Sequence, residues 1–334
     1  MLKKKTMKKL LESFTAHLNS ALEIGKNTNF IAPKNDIDQV LIGGLGGSGI
    51  GGTIVSQLIA NECKVPVVIN KDYKIPSFVN SKTLVICCSY SGNTEETLSM
   101  YAAAKEKSAE IAVITSGGKF ADLAEENNLN HIIIPGGLPP RAAFGLSFPQ
   151  LLFVFEKYGL INDLFISQIE NSISAINQVE NEIQEEASTI AGQLFEKMPI
   201  IYSESSKEGI AVRFRQQINE NSKMLCWHHV FPELNHNELV GWRTENQNLA
   251  VVIFRSNQDY YRNKKRMEYS KKVISNYTNT IVEIFAKGNS SIEEALYLIH
   301  LGDWISYFLA KLKGIDSVEV DIITGLKDLL AKLD

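Results

Sequence analysis

The amino-acid sequence predicts an α/β protein made of two successive halves, and three observations lead to this prediction. Short apolar runs rich in valine and isoleucine alternate with helical patterns, up to about residue 135 and again from residue 199. A helix-rich section with many Glu, Gln and Asn lies between these two series, and the length of 334 residues suits two domains. Continuous apolar strands separated by helices indicate mainly parallel sheets flanked by helices.

The first half, residues 1–158, is predicted to comprise an N-terminal helix and one α/β domain. An apolar stripe at helical spacing, formed by Leu11, Phe14, Leu18 and Leu22, is expected to dock on this domain. The carboxyl ends of parallel strands meet at one edge of the sheet, where ligands bind in such folds. The predicted strands are residues 39–43, 65–70, 83–89, 110–115 and 131–134, and the predicted helices are 48–60, 95–107 and 120–127.

Residues 159–197 are predicted to form a helical connector, at least partly one long helix. A second α/β domain, residues 198–334, follows it and closes with an amphipathic helix near residues 322–333. Ser290 and Glu293 are a capping-box signature for the start of a long apolar helix before it. The predicted strands of this half are residues 199–202, 225–228, 249–254 and 280–285, and its other predicted helices are 208–221 and 260–276.

Composition and charge argue against several classes of protein and partner. A formal net charge of −4 gives no general attraction to nucleic acid or to an anionic membrane, and no apolar run is long enough to span a bilayer. The basic start, residues 1–5, is followed by no apolar segment like that of a secretory signal. The four cysteines form no CxxC pair, and Cys87 and Cys88, as strand neighbours, point to opposite faces. We therefore predict a reduced, cytoplasmic protein with neither nucleic acid nor membrane as a partner.

A glycine-rich loop, residues 43–52, follows the first predicted strand and matches the G-x-G-x-x-G pattern of dinucleotide sites. The acidic residue expected after the second strand is missing, because Asn70 and Lys71 stand there, and no G-K-[ST] sequence marks a P-loop. Backbone amides near Gly47 and the Ser48 hydroxyl could still bind an anion at the helix N-terminus. The alternative is tight packing of the strand against the helix, which also requires glycine.

A loop rich in hydroxyl groups, Ser89-Tyr-Ser-Gly-Asn-Thr94, follows the third predicted strand. Hydroxyls of Ser89, Ser91 and Thr94 at a strand's carboxyl end can converge with backbone N–H groups on one phosphate. The alternative is that Ser and Thr only cap the next helix while two glutamates in its first turn complement the helix dipole. Capping alone would not need so many hydroxyls.

These two loops, together with "INENSK" (residues 218–223) and "FPELNHNELVGW" (residues 231–242), resemble the bifunctional phosphoglucose/phosphomannose isomerase family. Members of this family have two domains of the sugar isomerase (SIS) fold, and the resemblance covers nearly the whole chain in order. It implies an isomerase that interconverts glucose 6-phosphate, together with mannose 6-phosphate, with fructose 6-phosphate through a cis-enediol. It further implies that no metal or nucleotide cofactor takes part.

The resemblance also implies a role for each of four residues. Glu220 would be the base that moves a proton between C1 and C2, although an exposed acid at a helix end is the alternative. Arg141 would stabilise the enediolate oxygen with a charge that working pH cannot remove. His236 would assist ring opening by moving a proton at the ring oxygen, a task that suits the histidine side chain. Lys327 would assist ring opening as well, although Lys313, Lys332 or an ordinary surface lysine are alternatives.

A metal site is a less favoured interpretation of His228, His229, His236 and Glu238. Their spacing is not a recognised ligand set, and His228 and His229 point apart on a predicted strand. Two further functions stay open, namely another SIS sugar-phosphate isomerase and a non-catalytic sugar-phosphate sensor. A sensor would keep the hydroxyl loop but would not need Glu220, Arg141 and His236 together.

The resemblance implies a homodimer in which Glu220 of one chain and His236 of the other share one site. A two-fold dimer supplies this geometry because its interface is self-complementary and creates two equal sites. Apolar residues near His236 would suit either an interface or the core of the same chain, and the sequence leaves both possibilities open. These residues are Val230, Phe231, Leu234, Leu239 and Trp242.

Overall fold

Two parallel sheets, one of five strands and one of four, form the framework of the protein in a computed structural model that describes residues 6–333. The basic start, on which the argument against a secretory signal rested, lies outside the described residues. Both sheets are flanked by helices, as the alternating sequence pattern predicts. Among residues 6–333, no helix combines the length and the apolar character needed to cross a membrane.

The first sheet has the strand order β2-β1-β3-β4-β5, with every pair parallel. Its elements are α1 (Met7–Glu12), α2 (Phe14–Asn27), β1 (Gln39–Gly43), α3 (Gly46–Leu58), β2 (Val67–Asn70), β3 (Thr83–Ser89), α4 (Glu95–Glu106), β4 (Glu110–Thr115), α5 (Lys119–Glu126) and β5 (Asn130–Ile133). The predicted bounds of β1, β3 and β4 are confirmed. The N-terminal apolar stripe is buried as predicted, although it spans two helices that break at Ser13.

The middle of the chain forms α6 (Phe144–Lys157), α7 (Leu164–Gln178) and α8 (Glu180–Leu194). The prediction of one long helix in the connector is wrong, because Val179 leaves helical geometry with φ −120° and ψ 20°. Directly after this break, the Glu180 carboxylate accepts hydrogen bonds from Trp304 at 3.0 Å and contacts His300 at 2.7 Å. The break therefore coincides with a tertiary contact that local sequence pattern does not reveal.

The second sheet has the order β7-β6-β8-β9, again with every pair parallel. Its elements are β6 (Met198–Glu204), α9 (Glu208–Ser222), β7 (Trp227–Phe231), β8 (Leu249–Arg255), α10 (Tyr261–Ile274), β9 (Ile281–Phe285), α11 (Ser291–Leu312) and α12 (Asp321–Leu330). The Ser290 cap of α11 is confirmed, since its hydroxyl accepts from the Glu293 amide. The strand predicted at 225–228 begins two residues later, because Lys223 turns the chain in a left-handed conformation and leaves Leu225 82% exposed.

One apolar core runs through both halves of the chain. It includes Phe148 and Phe155 of α6, Ile201 of β6 and Trp304 of α11. Cys88 faces this core whereas Cys87 lies in a separate cluster on the other side of the first sheet, as predicted. The domain limits 1–158, 159–197 and 198–334 stay a prediction. The shared core allows residues from both halves to meet in one site.

Candidate active site

The hydroxyl loop lies at the carboxyl end of β3, as predicted. The Ser89 and Thr94 hydroxyl oxygens are 2.8 Å apart, and the Thr94 amide donates to Ser89 Oγ at 3.4 Å. Thr94 occupies the N-cap position of α4, yet its side chain makes no capping hydrogen bond. Ser91 is exposed, and its hydroxyl accepts from the Asn93 amide at 3.3 Å. Helix capping therefore does not account for the hydroxyls of this loop.

The glycine loop lies against the hydroxyl loop and against Arg141. Ser48, in the first turn of α3, accepts a hydrogen bond from the Tyr90 amide at 3.0 Å. A Cβ atom on Gly47 would lie 2.8 Å from the Arg141 amide nitrogen, so only glycine allows this close approach. First-turn amides have no acceptor within their own helix and favour an anion. Both predicted phosphate-binding segments therefore meet at one place.

Arg141 lies in a short 3₁₀ turn, Pro140–Ala143, after the first sheet, and it is only 4% exposed. Its guanidinium donates to Asn221 Oδ1 at 2.7 Å and to the carbonyl oxygens of Ser317 and Val318 at 2.8 and 3.0 Å. Burial lowers the pKa of this guanidinium from its ordinary value, and the nearby Glu220 carboxylate acts in the opposite direction. Arginine starts from a pKa so high that it stays charged at neutral pH.

Glu220 lies in the last turn of α9, and its Oε2 atom is 3.3 Å from Arg141 Nη1. The side chain is 25% exposed, so it is neither a freely solvated surface acid nor closed to a ligand. The alternative of an exposed acid at a helix end is therefore wrong. The two partners are separated by almost eighty residues and come from the two halves of the chain. Arg141 follows the last strand of the first sheet, whereas Glu220 lies between β6 and β7 of the second sheet.

Two residues of the motif at 218–223 support this pair, and neither was assigned a role from the sequence. Asn221 accepts from Arg141 Nε and donates to Ser306 Oγ of α11 at 2.9 Å. Lys223 donates to the carbonyl oxygens of Glu220 and Glu319 at 2.7 and 2.8 Å. The only sequence signal for a role of these two residues was that they belong to a polar motif at the end of a helix. Their binding partners are distant in sequence, so the sequence alone could not identify these partners.

A buried ion pair lies behind Arg141. Arg213 Nη2 donates to Asp303 Oδ2 at 2.6 Å and to the Arg141 carbonyl oxygen at 3.1 Å. Gln217 donates to the other Asp303 oxygen at 2.9 Å, and the Arg213 guanidinium lies 4.3 Å from the centre of the Phe144 ring. This network fixes the backbone that carries Arg141, and sequence analysis missed all of it.

His236 is not brought to Glu220 within one chain. It is exposed in a 3₁₀ turn, Glu233–His236, beyond the carboxyl end of β7, whereas Glu220 precedes the start of β7. The two residues thus lie beyond opposite ends of a strand about 16 Å long. Among the apolar neighbours of His236, Phe231, Leu234 and Trp242 are buried in the core of their own chain. The possibility that these three are interface anchors is therefore wrong.

Lys327 is exposed on α12, and in residues 6–333 no hydrogen bond or ion pair joins it to Arg141 or Glu220. The segment just before α12 is nevertheless part of the site, because Arg141 binds the carbonyl oxygens of Ser317 and Val318. The single chain therefore assembles Arg141, Glu220 and both phosphate-binding loops, and within residues 6–333 no hydrogen bond or ion pair joins His236 or Lys327 to them.

The residues considered for a metal site make other contacts. Glu238 accepts hydrogen bonds from Trp227 Nε1 at 3.1 Å and from the Tyr202 hydroxyl. His229 Nε2 lies 3.2 Å from Asn237 Oδ1, and His228 Nε2 lies 3.7 Å from a Glu208 oxygen. Within the described part of the chain, no group of three or more His, Cys, Asp or Glu side chains is arranged to hold a metal ion.

An open groove of about 830 Å³ lies away from Arg141 and Glu220, at the start of the second sheet and the end of α11. It contains none of the predicted site residues, and its walls offer no cluster of hydroxyls to a phosphate. We therefore place the candidate active site at the Arg141–Glu220 contact. The apolar residues of the groove are Phe195, Met198, Met224, Leu225, Leu249 and Leu312.

Comparisons with known proteins show which family the chain is similar to. Residues 183–330 match the model of a family described as the bacterial phospho-glucose isomerase C-terminal SIS domain. The chain is 43% identical over 327 residues to the bifunctional phosphoglucose/phosphomannose isomerase of Caldicellulosiruptor bescii, covering 95% of this chain and 96% of the relative. It is 34% identical over 293 residues to the protein of the same name from Aquifex aeolicus, covering 86% and 89%.

Among solved structures, the chain is similar to the C-terminal domain of glucosamine-fructose-6-phosphate aminotransferase from Francisella tularensis. The TM-score is 0.76 at 16% identity, covering 94% of this chain and 98% of the other. At this identity the likeness concerns the fold, and it confirms the two-sheet α/β architecture predicted from the sequence.

Proposed function

The chain belongs to the bifunctional phosphoglucose/phosphomannose isomerase family, and on that premise we propose that it interconverts glucose 6-phosphate and mannose 6-phosphate with fructose 6-phosphate. The observation that carries the proposal is the 3.3 Å contact between Glu220 and Arg141 beside the two phosphate-binding loops. A sugar-phosphate sensor would need those loops, but it would have no use for a carboxylate held against a fixed cation. The contact therefore favours an enzyme over a sensor.

The proposed reaction moves one proton between neighbouring carbons of the open-chain sugar. The Glu220 carboxylate removes the proton from C2 of the aldose, and the electron pair forms the C1–C2 double bond of a cis-enediol. Negative charge then develops on the former carbonyl oxygen, and Arg141 stabilises it electrostatically. Glu220 then gives the proton to C1, the O2 hydroxyl loses its own proton to become the ketone of fructose 6-phosphate, and that proton passes to O1, which becomes a hydroxyl. Gly47, Ser48, Ser89, Ser91 and Thr94 would hold the phosphate at the other end.

Activity on both aldoses follows from this intermediate. Glucose 6-phosphate and mannose 6-phosphate differ only in the configuration at C2, which becomes planar in the shared enediol. An active site that allows rotation about the C2–C3 bond can therefore return the proton to either face. No second base is required for the mannose substrate.

The function is tested by measuring fructose 6-phosphate formation from each aldose phosphate in turn. We expect turnover of both substrates, and we expect an added chelator to leave both rates unchanged because the proposed chemistry uses no metal. The matched control is the Glu220→Gln protein, which tests for a contaminating isomerase. Stoichiometric binding of both sugar phosphates without any fructose 6-phosphate would instead identify a sensor.

The hydroxyl loop gives a prediction about substrate affinity. Replacing Ser89 and Thr94 by alanine should raise KM by about a hundredfold or more, because hydrogen bonds to a charged group contribute about 1.5–3 kcal/mol each. The effect on kcat should be smaller, since the phosphate is distant from the reacting carbons. Ser99→Ala, which removes an exposed hydroxyl from α4, the helix that follows this loop, is the matched control. An unchanged KM in the double variant would contradict phosphate binding by this loop.

We further propose that the enzyme is a homodimer with shared sites, in which His236 of the second copy assists ring opening beside Glu220. Two features support this proposal. Glu220 and His236 lie beyond opposite ends of β7 in one chain, and His236 is exposed. The Arg141–Glu220 pair, by contrast, forms within one chain. Each site would therefore combine two residues of one copy with a histidine of the other.

Complementation between inactive chains tests the shared site. Glu220→Gln and His236→Ala chains, unfolded together and refolded as an equal mixture, should recover about a quarter of wild-type activity, since random pairing of a two-fold dimer makes about half the dimers mixed and each mixed dimer has one intact site. The control mixture combines Glu220→Gln with Arg141→Lys chains. These two residues act in the same chain, so no mixed dimer has an intact site and no activity should return. Recovery in neither mixture, with mixed dimers detected by mass, would refute the shared site.

A further inference from the structure

The last helix, α12, exposes an apolar face that no other part of residues 6–333 covers. Its ten residues include no buried one, and Ile322 is 92% exposed. Helical spacing aligns Ile322, Leu326 and Leu329 in one stripe, while Thr324 and Asp328 lie on the opposite face. An isolated helix of this length is marginal in water. The stability of α12 therefore requires a surface for its apolar stripe.

The start of α12 is fixed at the edge of the candidate active site. Lys223 Nζ donates to the carbonyl oxygens of Asp316 and Glu319 at 3.0 and 2.8 Å, and Arg141 Nη2 donates to that of Ser317 at 2.8 Å. These bonds anchor the segment that leads into α12 to the same two elements that hold Glu220. The segment that leads into α12 therefore borders the Arg141–Glu220 contact.

We propose that the apolar face of α12 packs against the His236 segment (Pro232–Trp242) of a second copy of this chain. The inference rests on the proposed shared site, and it identifies where the two copies make apolar contact around that site. For His236 of the second copy to reach a sugar at Glu220, its segment must arrive where α12 begins. Val240 of that segment is 62% exposed and supplies an apolar partner, whereas Leu234 and Trp242 are buried in their own chain and hold the segment rigid.

Two other surfaces fit α12 less well. A helix that binds an anionic lipid surface has a polar face rich in Lys and Arg. The polar residues of α12 are instead Asp321, Thr324 and Asp328, with Lys327 as its single basic residue. The apolar groove near Leu225 belongs to the same chain, but α12 lies outside it and none of its residues lines it. A second copy is the surface that the proposed shared site requires.

The packing has a consequence for Lys327. This residue lies on the side of α12 away from the stripe, three positions after Thr324 and one turn after Ile323, so the proposed packing leaves it uncovered. In the single chain, Lys327 is exposed. Packed on the second copy, α12 becomes a fixed support for Lys327 at the edge of the site. Dimer formation would thus position a residue of each chain's own site in addition to delivering His236.

The test compares Leu326→Asp on the stripe with Thr324→Asp on the opposite face, so that each variant gains one charge on the same helix. Leu326→Asp should raise the dimer dissociation constant about a hundredfold, because a buried leucine is replaced by a charge. Thr324→Asp should change it by about twofold or less, as surface substitutions do. Leu326→Met keeps the apolar contact and should form dimers like the parent. Sedimentation across a dilution series measures all three.

Hydrogen exchange locates the contact. In the parent protein, amides of α12 and of residues 232–242 should gain protection together as protein concentration rises, and both should lose it in Leu326→Asp. Protection of α12 that does not depend on concentration would mean packing on its own chain, and protection that requires anionic vesicles would mean lipid binding. Either outcome overturns the proposal, as does an unchanged dimer in Leu326→Asp. If complementation between Glu220→Gln and His236→Ala succeeds in that case, the shared site stands and only the role of α12 is lost.

Discussion

Replacing Glu220 by glutamine is expected to lower kcat by about a thousandfold or more, because positioned general bases contribute about 10²–10⁴ to a rate and this residue would serve both proton transfers. Glutamine has nearly the same size and keeps an oxygen that can accept from Arg141 Nη1, as Glu220 does at 3.3 Å. What it loses is the ability to accept the proton from carbon. The fold and the affinity for phosphate should therefore remain.

Two measurements separate a base from a merely structural partner of Arg141. Sorbitol 6-phosphate has no carbonyl group and cannot isomerise, so its dissociation constant reports binding alone and should be unchanged in Glu220→Gln. Deuterium uptake from heavy water into C2 of substrate reports proton removal and should disappear. If the variant exchanged this proton at the parent rate while forming no product, Glu220 would act after proton removal rather than as the base.

A matched control lies on the same helix. Glu208 is in the first turn of α9, its side chain is 44% exposed, and its oxygen is 3.7 Å from His228 Nε2. Glu208→Gln makes the same chemical change at the other end of α9 and should leave kcat within about twofold of the parent, as expected of a surface substitution. A comparable loss in both variants would mean that glutamine disturbs α9 itself.

The sequence predicted strands best where burial is continuous. β1, β3 and β4 are the three interior strands of the first sheet, and their uninterrupted apolar runs end at polar or glycine residues. β7 is an edge strand with only half-buried residues over most of its length, so its apolar signal is weak. Its start was predicted two residues early because Leu225 is apolar yet exposed. Apolar character alone does not distinguish such a residue from a strand residue.

The candidate site was predictable to the extent that it lies in short motifs. The loops around Ser48 and Ser89 follow strands that the sequence identifies, and the structure brings them into contact. The contact between Arg141 and Glu220 was implied only by the family resemblance, since nothing local joins residues from different halves. The supporting bonds of Asn221 and Lys223 were not predictable, because their partners lie on α11 and in the segment before α12.

The buried ion pair behind the site leads to the second large effect, on stability. Arg213 and Asp303 side chains are 3% and 5% exposed, and their closest atoms are 2.6 Å apart. Asp303→Leu leaves the Arg213 charge buried without its partner, and such changes cost about 3–5 kcal/mol of folding free energy. This is a large part of the stability of an ordinary domain. The midpoint of urea unfolding should fall accordingly.

An exposed pair provides the control for that prediction. Asp38 and Lys82 are 3.3 Å apart and more than half exposed, so Asp38→Leu should change the unfolding free energy by only about 0–1 kcal/mol. Equal losses in the two variants would mean that the Asp303 effect comes from the leucine and not from the unpaired charge.

The double variant Arg213→Met/Asp303→Leu separates the stability of this pair from its role at the site. Removing both charges leaves no unpaired ion, so the double variant should be more stable than Asp303→Leu alone, as found when buried pairs are replaced together by apolar residues. It still lacks the hydrogen bond from Arg213 to the Arg141 carbonyl oxygen, which measures 3.1 Å. A small displacement of a catalytic group can cost about a hundredfold in rate. We therefore expect a folded protein whose kcat falls by much more than its KM changes, because the two substituted side chains lie behind Arg141 and not in the phosphate-binding loops. Full activity in this stable double variant would mean that the ion pair supports the fold without positioning Arg141.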